Sequence, residues 1–196
     1  MALCQKADEL LMVTPFCYSD FSDFAEALEV AGSIHRVQFI TTLKKDEVVG
    51  KIDAFLSFSK EMNRIKVQWE LRIDNHLHGK IYIFKKDGDP FAGIITSANL
   101  THNGMVANHE WGCVIEDEQM LAFIEKQVID DAPIQLTESI LEEIKERAKM
   151  KYPEGVKKEP VATIDIEDIL HPFQIPQDIR IFIKPVGVSS NPIYKG

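Results

Sequence analysis

The strongest constraint on the fold is the alternation of apolar strand-like runs with amphipathic helical runs before residue 74. "ELLMVTPFCY", "VQFITTL" and "IKVQWELR" predict three strands, the first ending near Pro15. Between them, "SDFSDFAEALEVAG" predicts a helix capped by Ser19 or Asp20, and residues 44–62 predict a second helix. This β-α-β-α-β order is typical of parallel strands covered by helices.

The pattern changes after this lead-in. "GKIYIFKK" and "FAGIITSA" flank the turn "DGDP", and an Asp-Gly turn between such runs predicts an antiparallel hairpin. "HEWGCVIED" predicts one more strand, and residues 117–130 and 136–151 predict two helices, the second led by Thr137. We therefore expect an α/β fold with a mixed central β-sheet flanked by helices on both faces.

The composition shifts again after Pro153. The segments "YPEGVKKEP" and "HPFQIPQD" are rich in proline, and the chain ends with the strand-like run "IRIFIK" and loop residues. We expect one domain over residues 1–152. Residues 153–196 are interpreted as a linker and the start of a C-terminal region that continues in a longer parent chain.

Charge is distributed unevenly along the chain. The formal net charge is −9, which at first disfavours a nucleic-acid partner. Residues 107–170 hold 16 acids and 7 bases, whereas residues 60–86 hold seven bases and three acids. The basic segment is compatible with a phosphate backbone. Taken alone, however, the charge favours a solvated surface.

Several classes of protein are disfavoured by the sequence. The longest apolar runs are far shorter than the roughly 20 residues that a membrane helix needs, and the first fifteen residues lack a signal-peptide layout. Cys4, Cys17 and Cys113 are isolated, which disfavours a disulfide framework or a cysteine-rich zinc site. We expect a cytoplasmic protein that does not act at a membrane.

The stretch "HLHGKIYIF" places potentially cationic residues at alternate positions at the start of a predicted strand. Strand alternation puts His78 and Lys80 on one face, and it likewise pairs Ser97 with Asn99. Asn108 and Glu110 form a third such pair. A sheet that joined these strand ends would bring together groups that can hold a phosphate and attack it. The lysine neutralises phosphate oxygens, the serine and asparagine donate hydrogen bonds, and the histidine attacks or transfers a proton.

These motifs resemble the signature of the phospholipase D superfamily. "HGK" followed by "SAN" is similar to its H-x-K … S-x-N elements, and "NHE" is similar to the N-x-E element of its single-domain nucleases. The resemblance covers roughly residues 5–130. Lys85 replaces the aspartate that the family pattern places after the lysine, and Thr96 replaces a glycine. This variant looks most like the metal-independent type II restriction endonucleases of the superfamily, which place a DNA-recognition domain after the catalytic one.

The resemblance implies a catalytic mechanism. Only one H-x-K occurs, whereas the family's chemistry uses two, so the chain is expected to form a homodimer with a shared active site. His78 of one subunit is expected to attack DNA phosphorus and form a phosphohistidine, while the second copy protonates the leaving oxygen. Lys80, Asn99 and Ser97 are expected to hold the phosphate oxygens, and Glu110 is expected to orient the imidazole.

The resemblance implies no metal and no cofactor. A metal site built from His76, His78 and Glu110 is possible by residue type, but Lys80 in the same set disfavours it.

Further residues receive secondary interpretations. His76, Lys85 and Asn108 are candidate substrate-binding residues. His76 shares the predicted face of His78, and Asn108 belongs to "NHE". Lys85 could contact DNA, yet a solvated hairpin end explains it equally well. Trp69 and Trp111 lie in predicted strands and are interpreted as core.

Two rival functions remain open. A lipid phosphodiesterase of the same superfamily is disfavoured because a second H-x-K and an apolar membrane-facing surface are not visible. The other rival is a non-catalytic or weakly active dimer module that binds phosphate or nucleic acid within a defence protein. Retention of the full His, Lys, Asn and Glu set argues against it.

Overall fold

The computed structural model describes residues 2–151. Its seven strands form one sheet in the order β6-β5-β4-β1-β2-β3-β7. In chain order the elements are β1 Glu9–Val13, α1 Ser22–Ala31, β2 Arg36–Thr41, α2 Val48–Arg64, β3 Gln68–Ile73, β4 Ile81–Lys86, β5 Asp89–Thr96, a π-helical turn Asn103–Ala107, β6 Gly112–Ile115, α3 Glu118–Asp130, β7 Ile134–Leu136 and α4 Glu138–Lys151. The expected C-terminal region at 153–196 lies outside the described residues.

The sheet is mixed, as predicted. β1 pairs in parallel with β2, and β2 with β3, whereas β4 runs antiparallel to both β1 and β5. One face packs against α1, α2 and α4 through residues such as Leu28, Phe55 and Leu141. The other face packs against α3 through residues such as Leu121. The predicted α/β class with helices on both faces is confirmed.

The hairpin between β4 and β5 also forms where the sequence predicted it. Asp87 and Gly88 both have positive φ, at 53° and 91°. Two consecutive residues in this region match the twist of the flanking strands, and Asp-Gly is a preferred pair for such a turn.

The start of β4 differs from the prediction. β4 begins at Ile81, so His76, His78 and Lys80 precede the strand instead of opening it. The reason is a turn after β3, in which the Asp74 side chain accepts from His76 N at 2.8 Å and the Asp74 carbonyl accepts from Leu77 N at 3.2 Å. Strand alternation therefore does not set the directions of these three side chains.

The pairing registers bring several chain connections to one edge of the sheet. Val13 at the end of β1 pairs with Ile81 at the start of β4, and Thr96 at the end of β5 pairs with Gly112 at the start of β6. We call it the site edge; it is the end of the sheet where these strands begin or end, not one of the outer strands. It comprises the connections 14–21, 42–47, 74–80 and 97–111. All the predicted catalytic residues lie in these connections.

A buried lysine braces the first of these connections. Lys51 Nζ donates to Pro15 O at 2.7 Å and to Thr42 O at 3.0 Å, and it lies 5.5 Å from the centre of the Phe16 ring. It also pairs with Glu47 at 2.9 Å. Burial raises the pKa of Glu47, but hydrogen bonds from Lys51 and Thr42 outweigh burial and hold this pKa below its usual range. α2 is thereby tied to the loop after β1.

Replacing Lys51 with methionine is expected to lower the free energy of unfolding by about 3 kcal/mol, because it strands a largely buried carboxylate and two carbonyls. Urea denaturation followed by circular dichroism measures this. Lys60→Met is the matched control, since Lys60 is exposed on the same helix. Equal stability of the two variants would contradict the structural role given to Lys51.

Within residues 2–151, every helix is too short or too polar to cross a lipid bilayer.

Candidate active site

The centre of the site is a hydrogen-bonded group on the connection between β5 and β6. The Ser97 hydroxyl donates to Glu110 Oε2, and Asn108 Nδ2 donates to Glu110 Oε1 at 3.2 Å. Two further hydrogen bonds join the two ends of this connection. Ser97 N donates to Trp111 O at 2.8 Å, and Trp111 N donates to Ser97 Oγ at 3.0 Å. Ser97, Asn108 and Glu110 are thus brought together as the sequence predicted.

The Glu110 carboxyl is held in its charged form. Hydrogen bonds hold its pKa below the usual range, with the bond from Ser97 contributing more than the bond from Asn108. The positive charge of Lys80 acts in the same direction. Glu110 is therefore a carboxylate at neutral pH, with Lys80 close enough to interact with it.

Thr96 adds an unforeseen contribution to this turn. Its hydroxyl donates to Trp111 O at 3.0 Å and accepts from Ala98 N at 3.0 Å. The threonine that stands where the family pattern has a glycine thus helps to fix the backbone that carries Ser97.

His78 and Lys80 lie on the connection that enters β4. Lys80 O accepts from Thr96 N at 3.1 Å, which ties this connection to the end of β5. Lys80 Nζ donates to His78 O at 3.0 Å, and the His78 side chain is exposed. Among residues 2–151, the His78 ring has no hydrogen-bond partner. Glu110 therefore bonds Ser97 and Asn108 here, not the imidazole.

Asn99 is fixed from several sides. Its side-chain Oδ1 accepts from Thr14 Oγ1 at 3.3 Å, and its carbonyl accepts from Thr101 N at 2.8 Å. The adjacent Leu100 forms a parallel bridge with Cys17, in the loop after β1. Gly104, in the π-helical turn, approaches so closely that a Cβ there would lie 2.5 Å from Asn99 O and 2.9 Å from Asn99 N.

Replacing Gly104 with alanine is expected to reduce activity by about 10²-fold, because the Asn99 backbone must move to make room. The overpacking should also cost about 1–3 kcal/mol of stability. Steady-state kinetics and thermal melting measure the two effects. Gly50→Ala is the matched control, since a Cβ at Gly50 meets nothing within 4 Å. Wild-type kinetics in Gly104→Ala would refute the close approach.

Lys85 does not join this group, which corrects its predicted role as a substrate-binding residue. It lies at the opposite end of β4, where its buried ammonium group pairs with Glu125 at 2.6 Å and with Glu9 at 3.7 Å. His76 lies on the site edge and is exposed, two residues before His78.

The basic segment 60–86 does not form one positive surface. Four of its bases are ion-paired: Arg72 with Glu70 inside the segment, and Arg64, Lys85 and Lys86 with acids elsewhere on the domain. Lys80 is the base of this segment that lies on the site edge.

The two tryptophans behave differently. Trp69 packs against Phe58 with ring centres 5.9 Å apart, and its Nε1 donates to Asn63 at 2.9 Å. Trp111 was predicted to be core, which is wrong, since 84% of it is exposed. β6 is an outer strand of the sheet and begins at Gly112, the residue after Trp111, so the sheet does not cover the indole.

No group of three or more His, Cys, Asp or Glu side chains in residues 2–151 is arranged to hold a metal ion.

The comparison with protein families agrees with the motifs. A family model described as the NgoFVII restriction endonuclease N-terminal PLD domain matches residues 2–145. No curated protein shows a significant match.

Among solved structures, the phospholipase D family member Nuc from Salmonella typhimurium aligns with a TM-score of 0.46 and 16% identity, covering 66% of this chain and 82% of that one. NucT from Helicobacter pylori aligns with a TM-score of 0.39 and 16% identity, with the same coverages. TrmBL2, an archaeal chromatin protein with a novel mode of DNA binding, aligns with a TM-score of 0.41 and 14% identity, covering 66% of this chain and 45% of that one.

Proposed function

Because the chain belongs to the family of the NgoFVII restriction endonuclease N-terminal PLD domain, we propose that it is the catalytic domain of a type II restriction endonuclease, acting on DNA in the cytoplasm without a metal ion. The observation that carries this proposal is the joint placement of Lys80, Ser97, Asn99 and Glu110 on one sheet edge with His78. Residues 153–196 then begin the DNA-recognition region.

The proposed reaction has two steps. His78 of one subunit attacks the phosphorus, so that an N–P bond forms and a P–O bond of the DNA strand breaks. The second copy of His78 gives its proton to the leaving oxygen. In the second step that copy takes a proton from water, the water oxygen attacks phosphorus, and the N–P bond breaks. No oxidant, metal or cofactor takes part.

The other residues stabilise the charge that grows on the non-bridging oxygens. Lys80 neutralises them, and the Asn99 amide and Ser97 hydroxyl donate hydrogen bonds. Glu110 is assigned a role that differs from the sequence expectation. Its contacts with Ser97 and Asn108 support a role in fixing those donors, in place of the role in orienting the His78 ring.

The proposal includes a homodimer whose two copies share the site. The reaction needs two imidazoles, and the chain has one H-x-K. The site edge also carries exposed apolar side chains in the connections 14–21 and 97–111, which supports its burial against a second copy. They are Phe16, Met105, Val106 and Trp111.

Replacing Trp111 with serine is expected to weaken dimerisation by at least about tenfold, because aromatic anchors dominate such interfaces. Sedimentation velocity over a range of concentrations measures the dissociation constant. Val30→Ser is the matched control, since Val30 is also exposed but lies on α1. A dissociation constant of Trp111→Ser equal to that of the wild type would show that Trp111 does not lie in the dimer interface.

The experiment that tests the function offers supercoiled plasmid DNA and phosphatidylcholine vesicles to the protein in EDTA. The proposal expects cleavage of the DNA alone. Hydrolysis of the lipid alone would favour the lipid phosphodiesterase. DNA binding without cleavage, with or without Mg²⁺, would favour the non-catalytic module.

A further inference from the structure

We infer that Thr14 is a positioning residue for Asn99: its hydroxyl fixes the side-chain amide so that the Asn99 nitrogen faces the phosphate. The inference rests on the proposed function for its catalytic consequence. Its structural premise is the bond from Thr14 Oγ1 to Asn99 Oδ1, across 85 positions of sequence.

Thr14 is well placed to act as a fixed support. Its side chain is fully buried at the end of β1, and Thr14 N donates to Ile40 O at 3.0 Å, which extends the pairing of β1 with β2. Its hydroxyl also donates to Phe16 O at 3.1 Å, in the loop that Lys51 braces through Pro15 O. The threonine oxygen is therefore held by the sheet below it and by the loop beside it.

The consequence for Asn99 follows from the chemistry of the amide. The oxygen accepts and the nitrogen donates, and the two lie on opposite sides of the same planar group. Phe16 O and Asn99 Oδ1 are both acceptors, so they share the single Thr14 hydroxyl hydrogen, at 3.1 Å and 3.3 Å. With Oδ1 engaged, Nδ2 is left as a donor, and no residue in 2–151 accepts from it. A phosphate oxygen in the site is the acceptor that fits.

Preorganisation explains why this support matters. A primary amide can rotate by half a turn at little cost in solution, and the rotated form would present an oxygen to the phosphate. Two oxygens facing each other would repel, so the productive orientation must be selected before the transition state. The buried threonine performs this selection. The backbone clamp around Asn99 sets the position of the residue but not the rotation of its amide.

The test combines Thr14→Val, which keeps the shape and removes the hydroxyl, with Asn99→Ala in a double-mutant cycle. Thr14→Ser, which keeps the hydroxyl, is the matched control. We expect Thr14→Val to lower kcat by about 10–10²-fold with KM changed less than about twofold, because misplacement acts on the transition state. In the Asn99→Ala background the same change should have no further effect, because Thr14 acts through Asn99. Thr14→Ser should retain most of the activity.

A second readout does not depend on turnover. Titration with inorganic phosphate should give affinities weakened to a similar extent by Thr14→Val and by Asn99→Ala, and not weakened further in the double variant. Should Thr14→Val fail to fold, Thr14→Ala takes its place in both measurements.

The outcomes separate this inference from the proposed function. If Asn99→Ala impairs cleavage and Thr14→Val does not, the positioning role is wrong and the function stands. If the two changes are additive, Thr14 acts on stability and not through Asn99, which also overturns the inference. If the wild-type protein does not cleave DNA, the function fails, and the phosphate titration still decides whether Thr14 supports Asn99.

Discussion

Replacing His78 with alanine is expected to abolish cleavage of DNA, with a loss of about 10⁴-fold or more. One substitution in a symmetric dimer removes both the nucleophile and the proton donor, so neither step of the reaction retains its imidazole. The ring is exposed and has no hydrogen-bond partner within residues 2–151, so the melting temperature should stay close to that of the wild type. Plasmid relaxation and linearisation in EDTA measure the loss.

His102→Ala is the control for this substitution. His102 is also an exposed histidine on the site edge, but it has no role in the proposed reaction. It should cleave DNA at nearly the wild-type rate. Residual activity of His78→Ala within tenfold of the wild type would assign the chemistry to another group.

A dimer with one intact and one substituted subunit should be almost inactive. The proposed site needs one histidine from each copy, so a heterodimer of wild type and His78→Ala has either the nucleophile or the acid but never both. We expect less than about 1% of the wild-type rate, in line with the usual contribution of general acid catalysis. Two independent sites would leave half the activity.

The heterodimer can be made by co-expressing subunits with two different tags and purifying over both resins. A heterodimer of wild type with His102→Ala, prepared in the same way, controls for the tags and for subunit exchange. Half-activity of the His78→Ala heterodimer would contradict the shared site, even if the homodimeric His78→Ala protein were inactive.

Much of the fold could be predicted because local signals and tertiary packing agree. The β-α-β-α-β lead-in and the Asp-Gly hairpin both form, since each depends on short-range periodicity or on backbone conformations that one residue pair prefers. β7 was not predicted, because Ile134–Leu136 is too short to show alternation and pairs with β3 only through the tertiary fold.

The motif residues could be placed on one edge from the sequence, but their contacts could not. The prediction that strand alternation places His78 and Lys80 on one face was wrong, because the turn at Asp74 makes β4 begin only at Ile81. The support of Asn99 by Thr14 spans most of the domain and has no local signature beyond a polar residue at the end of an apolar run. Trp111 was misassigned because an apolar residue next to a strand is usually core, and only the sheet order identifies β6 as an edge.

Trapping the covalent intermediate tests the central claim most directly. End-labelled DNA is mixed with the protein in EDTA and quenched within milliseconds to seconds in alkali, where phosphohistidine persists. We expect labelled DNA joined to the protein through His78, released by mild acid and absent from His78→Ala. Cleavage that proceeds with no adduct at any time, and only after Mg²⁺ is added, would contradict the proposed mechanism.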